Sequence, residues 1–276
     1  MKMMIVGLGL IGASYAEGLA CCGHEIYGLD HDQHIMEEAI QKKIILPTSS
    51  FDMIRSCDLV ILALYPKDNI EWIRKHHSFL KEGQLLTDVA GSKTQMMKEI
   101  ESLLPEGVHY TSHHPMAGKE TSGFHARSPH LFHRANFIIV QGTKSHQSDE
   151  NILRIVANDL KFGKIIVTDA NTHDTLIAFT SQLTHVMAVC LMHADHEEHT
   201  KQATGDSFRD LTRIAKINET MWAELFIENK DHLFVMMDRM ERELQTIRTL
   251  IQNENIEELE CYLRQAKEKR KSFDIH

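Results

Sequence analysis

Three groups of residues in this 276-residue chain have the types and spacing to do chemistry. The first is Gly7-Leu8-Gly9-Leu10-Ile11-Gly12, with Asp30 lying 18 residues beyond the last glycine. Glycines at this spacing allow a tight turn, a close approach of backbone to a pyrophosphate, and close packing of helix on strand; free N–H groups at the helix start hold the phosphates. Asp30 would accept hydrogen bonds from ribose hydroxyls and repel a 2′-phosphate, so NAD is expected ahead of NADP. His31 beside it, or another nearby cation, could soften that repulsion. The second group is Asp88-Val89-Ala90-Gly91-Ser92-Lys93 with the stretch Ser112 to Gly123. Ser92 offers a hydroxyl there. His114 offers an imidazole that titrates near neutrality and can take a proton from an alcohol while hydride leaves. His113 should point the other way, as a structural residue. The third group is C-terminal. His185 sits in a stretch free of Asp, Glu, Lys and Arg, where the plain reading is a satisfied core histidine. Asp210 and Arg213 share a helix face at three-residue spacing. They read either as a surface ion pair or as an Asp orienting an Arg for bidentate capture of a carboxylate.

The elements that must position these residues follow from apolar periodicity. Met3 to Gly7 feeds the glycine turn, and Ala13 to Cys22 has helical composition. Further apolar runs at Glu25–Leu29, Asp58–Leu64, Gln84–Asp88, Val108–Ser112, Asn136–Val140 and Lys164–Thr168 alternate with amphipathic stretches, including a helix over 149–160. Such alternation predicts an α/β fold with a doubly wound, mostly parallel sheet of Rossmann type, carrying all seven runs in one sheet. Both chemical loops then follow strands, where ligands of such sheets bind. After Asp169 the period changes and the chain reads as helices: one from Thr172, one from about 218 to 251, and one from about 256 to 271. The expected domains are 1–168, for the dinucleotide, and 169–276, helical, for substrate and dimerisation. The long amphipathic tail predicts a homodimer.

Composition narrows the partners. Thirty Lys and Arg against 39 Asp and Glu give a net charge of −9, which argues against nucleic acid or an anionic membrane as partner. A small anionic substrate remains compatible, since local arginines can oppose the overall sign. Cys21, Cys22, Cys57, Cys190 and Cys261 show no metal-like spacing and read as reduced thiols of a cytoplasmic protein. Met1 to Ala20 only superficially imitates a signal peptide. Thr175 to Ala194 is long enough to span a bilayer, but Ser181, Gln182, Thr184 and His185 favour a buried helix of a soluble protein. His193, His196 and His199, among Asp195, Glu197 and Glu198, are expected to form a solvated polar turn with no metal.

Taken together, the chain resembles the prephenate dehydrogenases of tyrosine biosynthesis over nearly its whole length. The resemblance is carried by the glycine motif, Asp88 to Lys93, His114-Pro115-Met116-Ala117-Gly118, Ser181-Gln182-Leu183-Thr184-His185, and Asp210-Leu211-Thr212-Arg213-Ile214-Ala215 followed by Met221-Trp222. It implies oxidation of the substrate's C4 hydroxyl by NAD with loss of the C1 carboxylate, giving 4-hydroxyphenylpyruvate, carbon dioxide and NADH. It also implies that His114 accepts the hydroxyl proton, that Ser92 hydrogen-bonds at the same centre, that Arg213 holds a substrate carboxylate with support from Asp210, and that His185 lines the pocket. Two departures stand out. Ala90 is inserted where the family runs Asp-Val-Gly-Ser, which bears on Ser92. Lys119, with Glu120 beside it, replaces a small hydroxyl residue and keeps arogenate open as substrate. Other readings of the residues are a 3-hydroxyacid or 6-phosphogluconate type dehydrogenase, whose helical-half lysine base is here His185, and an NAD-sensing module without catalysis.

Overall fold

Short runs that are apolar on both faces cannot leave either face in water, so they pair in a parallel sheet covered by helices on both sides. The structure, a computed structural model, describes residues 1–48, 50–119 and 121–274. Strands β1 (Lys2–Val6), β2 (Glu25–Leu29), β3 (Leu59–Leu62), β4 (Leu85–Asp88) and β5 (His109–Tyr110) form a parallel sheet in the order β2-β1-β3-β4-β5. Alternate side chains of each strand enter opposite layers. Met3, Ile5, Leu59 and Ile61 lie in one hydrophobic cluster, and Met4, Val6, Val60 and Leu62 in the other. The winding reverses between β1 and β3, where sheets of this kind open a ligand crevice.

The expected doubly wound, mostly parallel sheet followed by helices is present, with one correction to its extent. β6 (Ser112–Pro115), β7 (Phe137–Gln141) and β8 (Ile165–Asp169) form a separate three-stranded sheet, with β6 antiparallel to β7 and β7 parallel to β8. Ser112 to Pro115 is therefore a strand rather than the start of a loop. The reason lies at Thr111. Its N–H still bonds Leu86 O of the first sheet at 3.2 Å, while its hydroxyl is drawn to the buried Asp149 carboxylate at 2.9 Å. The chain leaves β4 there and pairs with β7.

Asp169 caps the first C-terminal helix by accepting Thr172 N–H at 2.9 Å. That helix runs unbroken over Ala170–His193, with a π turn at Ala178–Gln182. It is long and apolar enough to cross a bilayer, yet only 28% of its most apolar stretch is buried. The expectation of a buried helix is thus corrected: Leu176 and Phe179 are 49% and 52% exposed. The predicted single helix over 218–251 is two, Glu219–Glu228 and Lys230–Gln252. Asn229 breaks it, because its buried amide donates to Asp174 O at 2.9 Å and to Gln182 Oε1 at 2.8 Å. Between His193 and Asp206, a polar stretch expected as a loop or frayed helix end, lies a short helix over Thr200–Ala203. By contacts the chain divides into compact units Met1–Asn229 and Lys230–His276. In the latter, helices Lys230–Gln252 and Ile256–Lys271 are joined by a Tyr262–Glu243 hydrogen bond of 2.6 Å.

Candidate active site

The glycine turn leads directly from β1 into helix Leu10–Cys21. Gly7 takes φ +91°, and a Cβ there would come within 2.7 Å of Ala63 O. A Cβ on Gly12 would collide with the Gly7 carbonyl, so helix and strand can pack only with glycine at this position. Nothing lies within 4 Å of a Cβ built on Gly9, which leaves an open cradle at the helix N-terminus. Asp30 Oδ2 accepts Leu8 N–H at 2.7 Å and Oδ1 accepts Asp32 N–H at 3.0 Å. The carboxylate is thereby fixed at the cleft wall, with lone pairs remaining for hydroxyl donors. This cradle fits a dinucleotide.

A single cleft of about 1500 Å³ runs from Gly7–Ile11 and Asp30 to Gly91, His114, Lys119, His185, Arg213 and Trp222. Small-molecule pockets usually occupy about 300–1,000 Å³, so the volume suits a cofactor with a substrate beside it. His114 lies on β6 opposite Ile138, and alternation along the strand sends it to the cleft and His113 into the core. His113 is clamped between the Tyr15 hydroxyl at 2.8 Å and the Thr87 hydroxyl at 2.7 Å. Burial, aided by the Lys93 ammonium, pushes its pKa down to about 3. His114 Nδ1 lies 2.9 Å from His173 Nε2, and His173 Nδ1 lies 2.8 Å from Asp174 Oδ1. Burial, with the nearby Lys93 ammonium, holds the His114 pKa well below the ordinary value.

The Asp88–Lys93 segment does not present its hydroxyl to the cleft. Gly91 lines the wall, its absent Cβ 3.9 Å from His114 Cε1, whereas Ser92 is buried and donates to the Glu228 carboxylate. Lys93 is fully buried, donating to Asp88 Oδ1 at 2.7 Å and His113 O at 2.8 Å. Opposite, His185 stacks on Trp222 with ring centroids 3.7 Å apart and donates from Nδ1 to Ser181 O at 2.8 Å. Arg213 reaches the same cleft, while Asp210 is exposed and lies outside its wall. Lys119 lines the cleft and donates to Ala126 O at 3.2 Å. Glu120 falls outside the described residues. Among the described residues no three His, Cys, Asp or Glu side chains are grouped to hold a metal ion.

Two family models match, and together they cover most of the chain: the prephenate dehydrogenase nucleotide-binding domain over residues 18–167 and the prephenate dehydrogenase dimerization domain over 169–265. The chain belongs to the prephenate dehydrogenase family. It is 29% identical to a prephenate dehydrogenase of Lactococcus lactis, over 100% of this chain and 78% of that protein. A Bacillus subtilis prephenate dehydrogenase is 28% identical over 99% and 76%. The fold superposes with TM-score 0.88, at 28% identity, on a crystal structure of the Aquifex aeolicus prephenate dehydrogenase in complex with hydroxyphenyl propionate and NAD+, covering 99% of this chain and 98% of that one.

Sequence reasoning missed three residues of this prephenate dehydrogenase family site. His173, Asp174 and Glu228 either touch the site residues or brace them. The adjacent His-Asp pair just after the last strand was the available signal. It was weak, because neighbouring His and Asp are common on helix surfaces and the partner His114 lies 59 residues away.

Proposed function

We propose that this protein oxidises prephenate with NAD, releasing carbon dioxide and 4-hydroxyphenylpyruvate, as a step of tyrosine biosynthesis. The observation that carries the reading is the one cleft that joins a dinucleotide cradle to an imidazole and, across it, to a guanidinium. Gly7, Leu8, Gly9, Leu10, Ile11 and Gly12 would hold the pyrophosphate and Asp30 the ribose hydroxyls. Bound there, NAD supplies the two-electron acceptor for the substrate's C4 centre. His114 accepts the C4 hydroxyl proton. Arg213 binds a carboxylate and orients the ring, and His185, backed by Trp222, offers Nε2 as a hydrogen-bond acceptor. Loss of the C1 carboxylate as carbon dioxide leaves its electron pair in the ring, which becomes aromatic. The enzyme's task is therefore alignment more than driving force. Ser92 acts through Glu228 at the floor of the site, Asp210 supports Arg213 from outside the wall, and Lys119 with Glu120 tunes substrate entry.

The exposed apolar face of helix Ala170–His193 and the match to a dimerization domain support a homodimer through the helical half, residues 169–276. Five thiols without a disulfide among the described residues suit a cytoplasmic setting. The experiment is NADH absorbance on mixing purified protein with NAD and prephenate, with arogenate in a parallel arm. Turnover of prephenate is expected. Absence of turnover with both substrates overturns the reading, and turnover of arogenate alone moves it to the amino analogue.

A further inference from the structure

We infer that His173 is a positioning residue that fixes His114 in the tautomer with its proton on Nδ1 and its lone pair on Nε2. The inference rests on the proposed role of His114 and deepens it. With His173 neutral, as its burial favours, the chain of hydrogen bonds admits one consistent direction. The Asp174 carboxylate accepts Thr94 N–H at 2.7 Å and Lys93 N–H at 3.0 and 3.3 Å. Those backbone donors, with the His173 hydrogen bond, outweigh burial and keep the carboxyl below its ordinary pKa and ionised, and an ionised carboxylate can only accept. His173 Nδ1, 2.8 Å away, must therefore carry the proton. In a neutral ring that leaves a lone pair on His173 Nε2. His114 Nδ1, 2.9 Å from it, then donates. The remaining His114 nitrogen, Nε2, is an acceptor and is the one left for the cleft that His114 lines. An imidazole in the opposite tautomer would meet a substrate hydroxyl with an N–H and could not take its proton.

The same chain acts once the proton is taken. The new His114 imidazolium donates from Nδ1 to His173, behind which stands Asp174, so the charge formed during the reaction meets an aligned dipole and an anion without reorganisation. The logic is that of an acid orienting a catalytic histidine, with a second imidazole inserted as spacer. His173 is fully buried and Asp174 nearly so. Asn229 braces the helix that carries both by donating to Asp174 O. The charged and titratable groups around His114 are His173, Asp174 behind it, Lys93 and His113, and, across the cleft, Lys119, His185 and Arg213.

The direct test is 15N NMR of histidine-labelled protein without substrate, at a pH where His114 is neutral, with the His114 signals assigned by their loss in His114→Asn. A protonated Nδ1 and a pyridine-like Nε2 are expected; a protonated Nε2 overturns the inference. Because no turnover is needed, this result is independent of the substrate assignment. The kinetic arm compares His173→Leu with His173→Gln, whose Oε1 can still accept from His114 Nδ1. With Leu we expect kcat to fall roughly 10–100-fold, a modest share of the usual effect of a positioned acid–base group. The KM values should stay within about twofold, since ground-state binding is untouched. The acid limb of the rate profile should move to lower pH, because the imidazolium loses its acceptor. Gln should restore most of the rate and return the limb. A Leu variant within about threefold of wild type, or a loss that Gln does not restore, overturns the inference. If the Leu variant does not fold, the NMR result and the Gln variant decide.

Discussion

His113 and His114 are neighbours with opposite chemistry, and the difference is entirely one of surroundings. His113 gives both ring nitrogens to buried hydroxyls and is held neutral down to about pH 3. Its folded pKa lies below the unfolded value of 6.5, so as pH falls the unfolded chain binds this proton first. Stability is fully present above pH 6.5 and is lost progressively from there to about pH 3. His114 and His173, also shifted downward, pull in the same direction. Urea midpoints measured between pH 7 and pH 4.5 should fall steadily, and His113→Asn should flatten that slope whatever its effect at pH 7. An unchanged slope would contradict the buried neutral state. His114→Asn should lower turnover by roughly 10²–10⁴-fold, read as initial NADH formation. Ser92→Ala should do far less to the rate. It should cost about 1–3 kcal/mol of stability, because it strips the half-buried Glu228 of its donor. A turnover loss as large as that of His114→Asn would put the hydroxyl back at the reacting centre.

Among the elements, strands and glycine turn were legible because their signals are local. An apolar run entering a glycine motif states strand, turn and helix within a dozen residues. Gly12→Ala should accordingly abolish NAD binding, measured by protein fluorescence titration, because the added methyl collides with the Gly7 carbonyl. Retained affinity would show that helix and strand can shift apart. What was not legible depends on groups far away in sequence. Nothing near Thr111 announces that Asp149 will pull the chain out of the first sheet, nor near Asn229 that its amide will reach Asp174 and Gln182. The hydroxyl of Ser92 was misplaced for the same reason: whether Gly91 or Ser92 faces the cleft depends on Glu228, 136 residues on. Strand β6 adds a constraint of its own. A one-residue slip against β7 would exchange His113 and His114, so the pairing of His114 with Ile138 matters to the chemistry as much as the residue type does.

At the scale of the molecule, helix Ala170–His193 does two jobs. One side carries His173, Asp174 and His185 toward the cleft, and the other exposes Leu176 and Phe179. A homodimer through the helical half should give twice the chain mass by light scattering at micromolar concentration. Phe179→Glu should shift that mass toward the monomer if this face is the one covered; a monomeric wild type would rule the dimer out. Because the imidazole chain is built on the same helix, the proposed homodimer would make assembly and chemistry subject to one mass-action law. Rate per chain should then depend on how dilute the enzyme is. A progress curve run at nanomolar protein would give a lower specific activity than one run at micromolar protein, and the lost activity would return when unlabelled, catalytically silent His114→Asn chains are added to make up the concentration.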